Sequence, residues 1–232
     1  MKPITILTSL FCSGLVSLSV QTGCFAAQAN QLTVDFSRQT GPVYHGTGFL
    51  YGLSEPNVPN ANVLVPLKPD VTSQKAPNGL QHPGGDEYST FKDLSVPGEL
   101  IQWISRFETS KVGAGLAYWH IDDDLDDLEV GANQPNSGWW LYKAYGDMTG
   151  STVQITSPNP NGYGLQGIAA LDQTRKQSSV IFGGASGDVT VVAKGLSALG
   201  ISGDRAHATV WINRWTGYEG VADPPNVLSD VC

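Results

Sequence analysis

The chain is poor in charged residues, which make up 15% of its 232 residues. A coiled coil needs an abundance of Glu and Lys, so that class is excluded. Disorder is disfavoured as well, because 41% of the residues are hydrophobic and 9% are aromatic. The 13 basic residues are outnumbered by 21 acidic ones, which gives a net charge of −8. Because a negative surface repels phosphate backbones, we expect no nucleic acid partner.

Cysteine is nearly absent, with three residues in the chain. Cys12 and Cys24 lie in the N-terminal apolar stretch, which leaves Cys232 as the only cysteine beyond it. If that stretch is removed, no internal disulfide can form and the fold must depend on its hydrophobic core. Cys232 is expected to be either a free thiol or the partner of a cysteine in another molecule.

The first 29 residues have the layout of a secretory signal peptide. Lys2 supplies the early positive charge, an apolar run follows, and Ala27-Gln28-Ala29 offers a cleavage site of small residues. A lipoprotein signal around Gly23-Cys24 is an alternative. We predict that residues 1–29 are removed, that the protein is secreted, and that it has no membrane association after cleavage.

The signatures of several enzyme classes are missing from the chain. It has no Gly-x-Ser-x-Gly motif, no phosphate loop and no His-Glu-x-x-His. The acidic run 122–129 begins like a calcium loop, but Asp127 and Asn133 stand where that loop needs Gly and Glu. We interpret this run as a solvated loop with Leu125 and Leu128 turned inward, and we predict neither a metal nor a cofactor.

The sequence pattern changes near Gly150. Residues 30–150 combine predicted strands, the first at residues 32–36, with a long loop rich in Pro and Gly. Two helices are predicted there as well: one has an apolar stripe that includes Leu100, Ile101 and Ile104, and the other spans residues 139–145 after a cap at Asn136-Ser137. This is the rhythm of an α/β domain. Residues 151–232 carry short strand candidates separated by turn signals, at 152–156, 180–182, 189–193 and 206–215, which is typical of an antiparallel β-sandwich. The predicted fold class is therefore α/β followed by all-β, with a domain boundary at residue 150.

Polar and aromatic residues follow the predicted strands of the first domain. Trp119 and His120 end a buried strand and offer a flat face and hydrogen-bonding groups to a sugar, although core packing explains them equally well. Asp122 directly follows that strand, where α/β proteins present carboxylates. His82 and Asp86 end the long loop and could reach a ligand there.

Several segments resemble secreted, fungal-type members of glycoside hydrolase family 39. The matching segments are Gly46–Glu55, Leu64–Pro69, Gly79–Pro83, Ala117–Ile121, Gly138–Lys143, Asn159–Gly162 and Gly183-Gly184. The resemblance implies a (β/α)8 barrel followed by a β-sandwich. It also implies hydrolysis of glycosidic bonds with retention, by one carboxylic acid and one carboxylate nucleophile.

The chain departs from that family in its middle. A barrel takes roughly 250 residues, which is more than residues 30–150 can supply. The family's acid/base residue lies in an Asn-Glu dipeptide, which this chain lacks, and its nucleophile strand is missing before Ser95. The expected catalytic domain is thus a partial barrel joined near Leu94, and its catalytic residues are unknown. The resemblance implies only residues that line a sugar site: Glu55, His82, Asp86, Trp119, His120 and Asp122.

We therefore expect a secreted protein of the glycoside hydrolase class that contacts an oligo- or polysaccharide and has weak or no hydrolytic activity. One alternative is a non-catalytic carbohydrate-binding protein that uses Trp211, Trp215 and Tyr218 of the second domain. Another is a secreted interaction protein, for which dimers linked through Cys232 would be the sign.

Overall fold

The computed structural model describes residues 6–11, 16–19, 30–50, 60–69, 71–73, 97–111, 114–116, 128–131, 133–161, 164–199, 207–217 and 220–231. These residues fall into two compact units. The first unit combines Met1–Val43, Met148–Arg214 and Pro225–Cys232, and the second combines Tyr44–Asp147 and Trp215–Pro224. Both units are discontinuous in sequence, whereas the domains 1–29, 30–150 and 151–232 are continuous and stay a prediction.

The described residues form strands β1 to β12 and helices α1 to α3. The strands are β1 (Ile6–Phe11), β2 (Val16–Ser19), β3 (Gln31–Pro42), β4 (Thr47–Leu50), β5 (Val71–Ser73), β6 (Ala114–Leu116), β7 (Ser151–Thr156), β8 (Gln166–Asp172), β9 (Gln177–Gly183), β10 (Val189–Lys194), β11 (Ala208–Ile212) and β12 (Asn226–Val231). The helices are α1 (Ala61–Leu64), α2 (Pro97–Ser110) and α3 (Ser137–Gly146), and 3₁₀ turns lie at Val65–Leu67 and Leu196–Leu199.

The first unit contains a nine-stranded sheet in the order β12-β11-β1-β9-β8-β7-β3-β10-β2. Its core is apolar because the strands alternate: on β3, the side chains of Leu32, Val34 and Phe36 are buried while their neighbours are half-buried. Strand β8 differs, since all of its residues are buried. The core cluster consists of Leu32, Val34, Phe36, Val153, Leu165, Ala169, Leu171, Val180, Phe182, Val189, Val191, Ala193 and Ala208.

The high β content expected for the C-terminal part is confirmed, but its arrangement differs from an antiparallel sandwich. Strand β3 is antiparallel to β7 and parallel to β10. Strand β1 is parallel to both β9 and β11. The sheet is mixed because strands that precede residue 44 insert among those that follow residue 150, which strand candidates taken in sequence order do not reveal.

Two strands come from the predicted signal peptide. Residues 6–11 form β1 in the interior of the sheet, and residues 16–19 form β2 beside β10. Apolar residues interspersed with Thr and Ser suit a strand as well as a leader. Cleavage after Ala29 and secretion both stay predictions.

The second unit contains a three-stranded sheet in the order β5-β4-β6, in which β4 is parallel to both neighbours. Helix α2 begins at Pro97 and buries the predicted stripe residues Leu100, Ile101 and Ile104. The predicted second helix is confirmed as α3, and the side chain of Asn136 caps it by accepting a hydrogen bond from Trp139 N. A partial (β/α)8 barrel is not confirmed and stays a prediction. No described helix is long and apolar enough to span a membrane.

Strands β7 and β8 approach closely where β7 begins. Gly150 has φ +87°, and a Cβ atom placed on it would lie 2.2 Å from the carbonyl oxygen of Leu171. Beside this close approach, Asp172 accepts hydrogen bonds from Arg175 N at 2.9 Å and from Thr149 Oγ1 at 2.7 Å. These two donors hold the pKa of Asp172 below its usual value of 3.8.

Gly150→Ala is expected to lower the free energy of unfolding by about 2–3 kcal/mol, because backbone atoms must move to admit the methyl group. Gly187→Ala is the matched control: its φ is also positive, at +80°, but nothing lies within 4 Å of the added Cβ. The control should lose about 1 kcal/mol from backbone strain alone. Urea unfolding of both variants measures the difference, and equal losses would contradict the close approach.

Candidate functional site

The six candidate site residues lie outside the described residues, so chain order alone relates them to the fold. Each follows a strand of the three-stranded parallel sheet: Glu55 follows β4, the pair His82 and Asp86 follows β5, and the trio Trp119, His120 and Asp122 follows β6. The predicted site is therefore distributed over the three connections that leave neighbouring strands.

The register of the sheet brings the carboxyl ends of these strands level. Leu50 pairs with Ser73 of β5, and Phe49 pairs with Leu116 of β6. The chain consequently leaves all three strands at one edge of the sheet. In parallel α/β sheets that edge is where ligand sites form, because the connecting loops converge there. This carboxyl edge is the candidate functional site.

A buried carboxylate lies at the opposite end of β4. Glu108, which is 1% exposed, accepts hydrogen bonds from the backbone N–H of Tyr44 at 2.9 and 3.0 Å and of His45 at 3.2 Å. The hydroxyl of Tyr145 and the Nζ of Lys111 each approach it to 2.5 Å. Glu108 thus joins α2 and α3 to the residues that precede β4, and these donors occupy it as a structural group.

The connection that follows β6 ends in a tight hydrogen-bonded segment, residues 128–136. Val130 N donates to Gln134 O at 2.8 Å, and Asn136 N donates to Leu128 O at 3.0 Å. Leu128 is fully buried, as the sequence predicted for this end of the acidic run. Glu129, the last residue of the acidic run, is 2% exposed, which differs from the predicted solvated loop. Leu125 and the aspartates of the run lie outside the described residues.

A hydrogen bond joins residue 60 to the segment that follows the acidic run. The backbone N–H of Asn60 donates to Asn133 Oδ1 at 2.6 Å. Asn133 has φ +61°. Its side chain therefore links two described segments that are more than 70 residues apart in sequence.

Helix α3 is held at its start by several side chains. Trp139 is 4% exposed and donates from Nε1 to Val63 O at 3.0 Å, so its side chain lies in the core. Ser137 Oγ accepts from Thr216 N at 3.0 Å, and Trp140 Nε1 donates to Ala222 O at 3.1 Å. Residues 215–224 are thereby tied to α3 within the second unit.

An ion-pair cluster lies at the C-terminal end of α3. Asp147 accepts from Lys68 Nζ at 2.9 Å and from Lys143 Nζ at 2.6 Å, and Lys68 also donates to Gly146 O at 2.8 Å. Burial raises the pKa of Asp147, but the hydrogen bonds and charges of the two lysines outweigh it and hold this pKa below 3.8.

Sequence reasoning did not identify the structural roles of Glu108 and Asn133. Glu108 has a visible signal, since it precedes Lys111 by three residues at the end of a predicted helix, but that spacing is common on solvated helix faces. Asn133 entered the argument only as a mismatch to a calcium loop. Within the described ranges, no group of three or more His, Cys, Asp or Glu residues could hold a metal ion.

Glu108→Ala is expected to lower the free energy of unfolding by about 3 kcal/mol, because it leaves the buried hydroxyl of Tyr145 and the part-buried backbone N–H groups of Tyr44 and His45 without their acceptor. Tyr145→Phe removes one of these hydrogen bonds and should cost about 1 kcal/mol. Denaturant unfolding of both variants measures the losses. If Glu108→Ala lowers the free energy of unfolding no more than Tyr145→Phe does, the structural role assigned to Glu108 is contradicted.

Asp147→Asn is expected to lower stability at pH 7 by about 0.5 kcal/mol, because the ion pairs are partly exposed. The pKa of Asp147 is lower in the folded protein, so its contribution is fully present above pH 3.8 and is lost as the pH falls below that value. Unfolding midpoints measured from pH 7 to pH 2.5 should therefore converge for the parent and the variant. A constant difference would contradict the assignment.

Comparison with known proteins adds to this geometry. The chain is 43% identical over 157 residues to a 3-O-alpha-D-galactosyl-alpha-L-arabinofuranosidase from Bifidobacterium longum subsp. longum, covering 62% of this chain and 14% of that protein. It is 42% identical over 163 residues to a 3-O-beta-L-arabinopyranosyl-alpha-L-arabinofuranosidase from Bifidobacterium pseudocatenulatum, covering 62% of this chain and 17% of that protein. The chain thus matches only about a sixth of the length of these relatives. No family model matches.

A solved structure, N2152 from Neocallimastix frontalis, shares the fold with a TM-score of 0.63 and 16% sequence identity, covering 88% of this chain and 93% of that chain. This likeness concerns the fold alone. The two sequence relatives carry the functional information, because both are named as glycosidases. Over 62% of its length the chain is homologous to glycoside hydrolases that act on arabinofuranosides.

Proposed function

We propose that this protein binds arabinose-containing carbohydrate at the carboxyl edge of the β5-β4-β6 sheet, with weak or no hydrolysis. The observation that carries the proposal is the parallel register of these strands. It sends the three connections that contain the six candidate residues out at one edge. Similarity to two arabinofuranosidases supports a carbohydrate as the ligand.

The finer assignment is a partial barrel of the glycoside hydrolase family 39 type. In a (β/α)8 barrel the first strand lies between the second and the last, because the sheet closes on itself. The order β5-β4-β6 agrees with that closure, with β4 as first strand, β5 as second and β6 as last. Helices α2 and α3 would then flank the last strand.

Weak or absent hydrolysis follows from the missing middle of the barrel. A retaining mechanism needs two carboxyl groups about 5 Å apart, one to protonate the leaving oxygen and one to attack. The family's Asn-Glu dipeptide is lacking in this sequence, and the residues before Ser95 do not show the pattern of the strand that carries the family's nucleophile. Sugar contacts from Trp119, His120 and Asp122 do not require either carboxylate, so binding can persist without turnover.

The proposed ligand contains L-arabinofuranose. Both relatives are named as α-L-arabinofuranosidases whose arabinofuranose carries a second sugar at O3. That second sugar is α-D-galactose in one name and β-L-arabinopyranose in the other. A secreted protein would meet such sugars outside the cell, which is where the leader-like residues 1–29 would direct it.

A second candidate function is carbohydrate binding by the first unit. Trp211 on β11 is half-buried, and its partner across the β11-β12 pair is Val227, which is 59% exposed. An aromatic ring beside an exposed aliphatic side chain is a surface on which a sugar ring can stack. This candidate gives the control variant for the experiment below.

The test uses calorimetric titration of the full chain with 3-O-α-D-galactosyl-L-arabinose. Trp119→Ala is expected to weaken binding about tenfold or more, because it removes a large apolar face from the sugar. Trp211→Ala should leave the affinity within about twofold. The reverse result would favour the second candidate. Product analysis should show little or no release of sugar from p-nitrophenyl α-L-arabinofuranoside, and substantial turnover that Glu55→Gln abolishes would contradict the proposed weak or absent hydrolysis.

A further inference from the structure

Strand β1 fills one position in the sheet of the first unit, between β9 and β11, which we name the β1 position. It runs parallel to both neighbours over six residues, and its register with β9 extends from the pair Ile6–Ser178 to the pair Phe11–Gly183. The ladder on each side is made by backbone groups, which any chain in extended conformation can supply. The side chains of β9 and β11 therefore decide which strand fits the β1 position best.

The β9 side of the β1 position contains a buried hydroxyl group that β1 does not satisfy. Ser178 is 1% exposed, and its Oγ has no hydrogen-bond partner among the residues that the structure describes. In the register of the sheet Ser178 pairs with Leu171 of β8 and with Ile6 of β1, and neither residue type has a polar side-chain atom. A buried hydroxyl without a partner is costly, because it gives up its hydrogen bonds to water and gains none in return.

Two residues further along β1 the mismatch is the opposite one. Thr8 pairs with Val180 of β9 and with Val210 of β11, which are 2% and 4% exposed. Residues two apart on a strand belong to the same face, so Thr8 and Ile6 share a face. The register thus places an aliphatic residue beside a serine and a hydroxyl residue between two valines. A strand with these two residue types exchanged would match both places.

We propose that the β1 position is a strand-accepting site for an extended segment of a partner protein. The segment pairs parallel to β9 and β11, with Ser or Thr opposite Ser178 and an aliphatic residue opposite Val180. Residues 6–11 indicate the direction and the length of the strand that the site holds, and the two mismatches indicate the side chains that it favours. In a chain that has lost residues 1–29, as the leader-like sequence predicts, the partner segment takes the place of β1.

The experiment uses the full chain with a protease recognition sequence inserted after Ala29, so that the protein is folded first and cut afterwards. Two labelled hexapeptides of identical composition are the probes: one has the sequence of residues 6–11, and the other carries the exchange Ile6→Thr with Thr8→Ile. Both compete with the cut fragment, and fluorescence anisotropy measures their binding. The exchanged peptide should bind the cut chain about threefold to tenfold more tightly, because it supplies a partner to the buried hydroxyl. The uncut chain should bind neither peptide, because residues 6–11 already fill the site.

Variants of β9 separate specific recognition from general adhesion of an apolar peptide. Ser178→Ala should abolish the preference for the exchanged peptide, since the hydroxyl that it matches is gone. Ser179→Ala is the matched control: it removes a hydroxyl from the adjacent residue, which belongs to the opposite face of β9, so the preference should persist. The proposal is overturned if neither peptide binds, if both bind equally, if the preference survives Ser178→Ala, or if the uncut chain binds as tightly as the cut one. A cut chain that loses its circular dichroism signal and regains it with neither peptide overturns it as well.

Discussion

Parallel pairing of β4 with both of its neighbours is the constraint on which the second unit depends. Parallel strands cannot be joined by tight turns, so each must be followed by a crossing segment that starts at the same edge. The register Leu50–Ser73 and Phe49–Leu116 sets that edge. Every candidate sugar contact lies on a segment that this pairing directs, whatever conformation the segments adopt.

Different interactions hold the residues before and after β4. Before the strand, the buried carboxylate of Glu108 accepts hydrogen bonds from backbone and side-chain donors, where an unpaired donor would be costly. Ten residues beyond the strand, the side-chain oxygen of Asn133 accepts the backbone N–H of Asn60, the residue that caps α1. The segment before β4 is thus held by a charged cluster, and Asn60 is held by a neutral hydrogen bond.

Sequence patterns predicted the elements whose signals are local. The Asn136 cap and the stripe Leu100, Ile101, Ile104 gave α3 and most of α2, and alternation gave the start of β3. Strand β8 was missed because it is buried on both faces and contains small residues, so it shows no alternation. Strand β12 was missed for the opposite reason, since most of its side chains are exposed.

The pairing of strands that are distant in sequence, and the hydrogen bonds between distant side chains, leave no local pattern in the sequence. Nothing near Gln31 indicates that β3 lies between β7 and β10, because that order is decided by contacts between distant segments. The second unit shows the same limit to sequence-based prediction. Chain order assigns the candidate site residues to loops that follow strands. The hydrogen bonds of Glu108 with Tyr44 and of Asn133 with Asn60 join residues far apart in sequence, so no local pattern predicts them.

The position of β1 has a consequence for a processed chain. Strand β1 lies between β9 and β11, and in the sheet order it is what connects the β11-β12 pair to the other strands. Loss of residues 1–29 would therefore divide the sheet into the five strands β9-β8-β7-β3-β10 and the separate antiparallel pair β11-β12. Strand β9 would become an edge strand, and its unpaired backbone N–H and C=O groups could pair with any other extended segment. A leader peptide and an interior strand are two uses of the same six residues, and one molecule can have only one of them at a time.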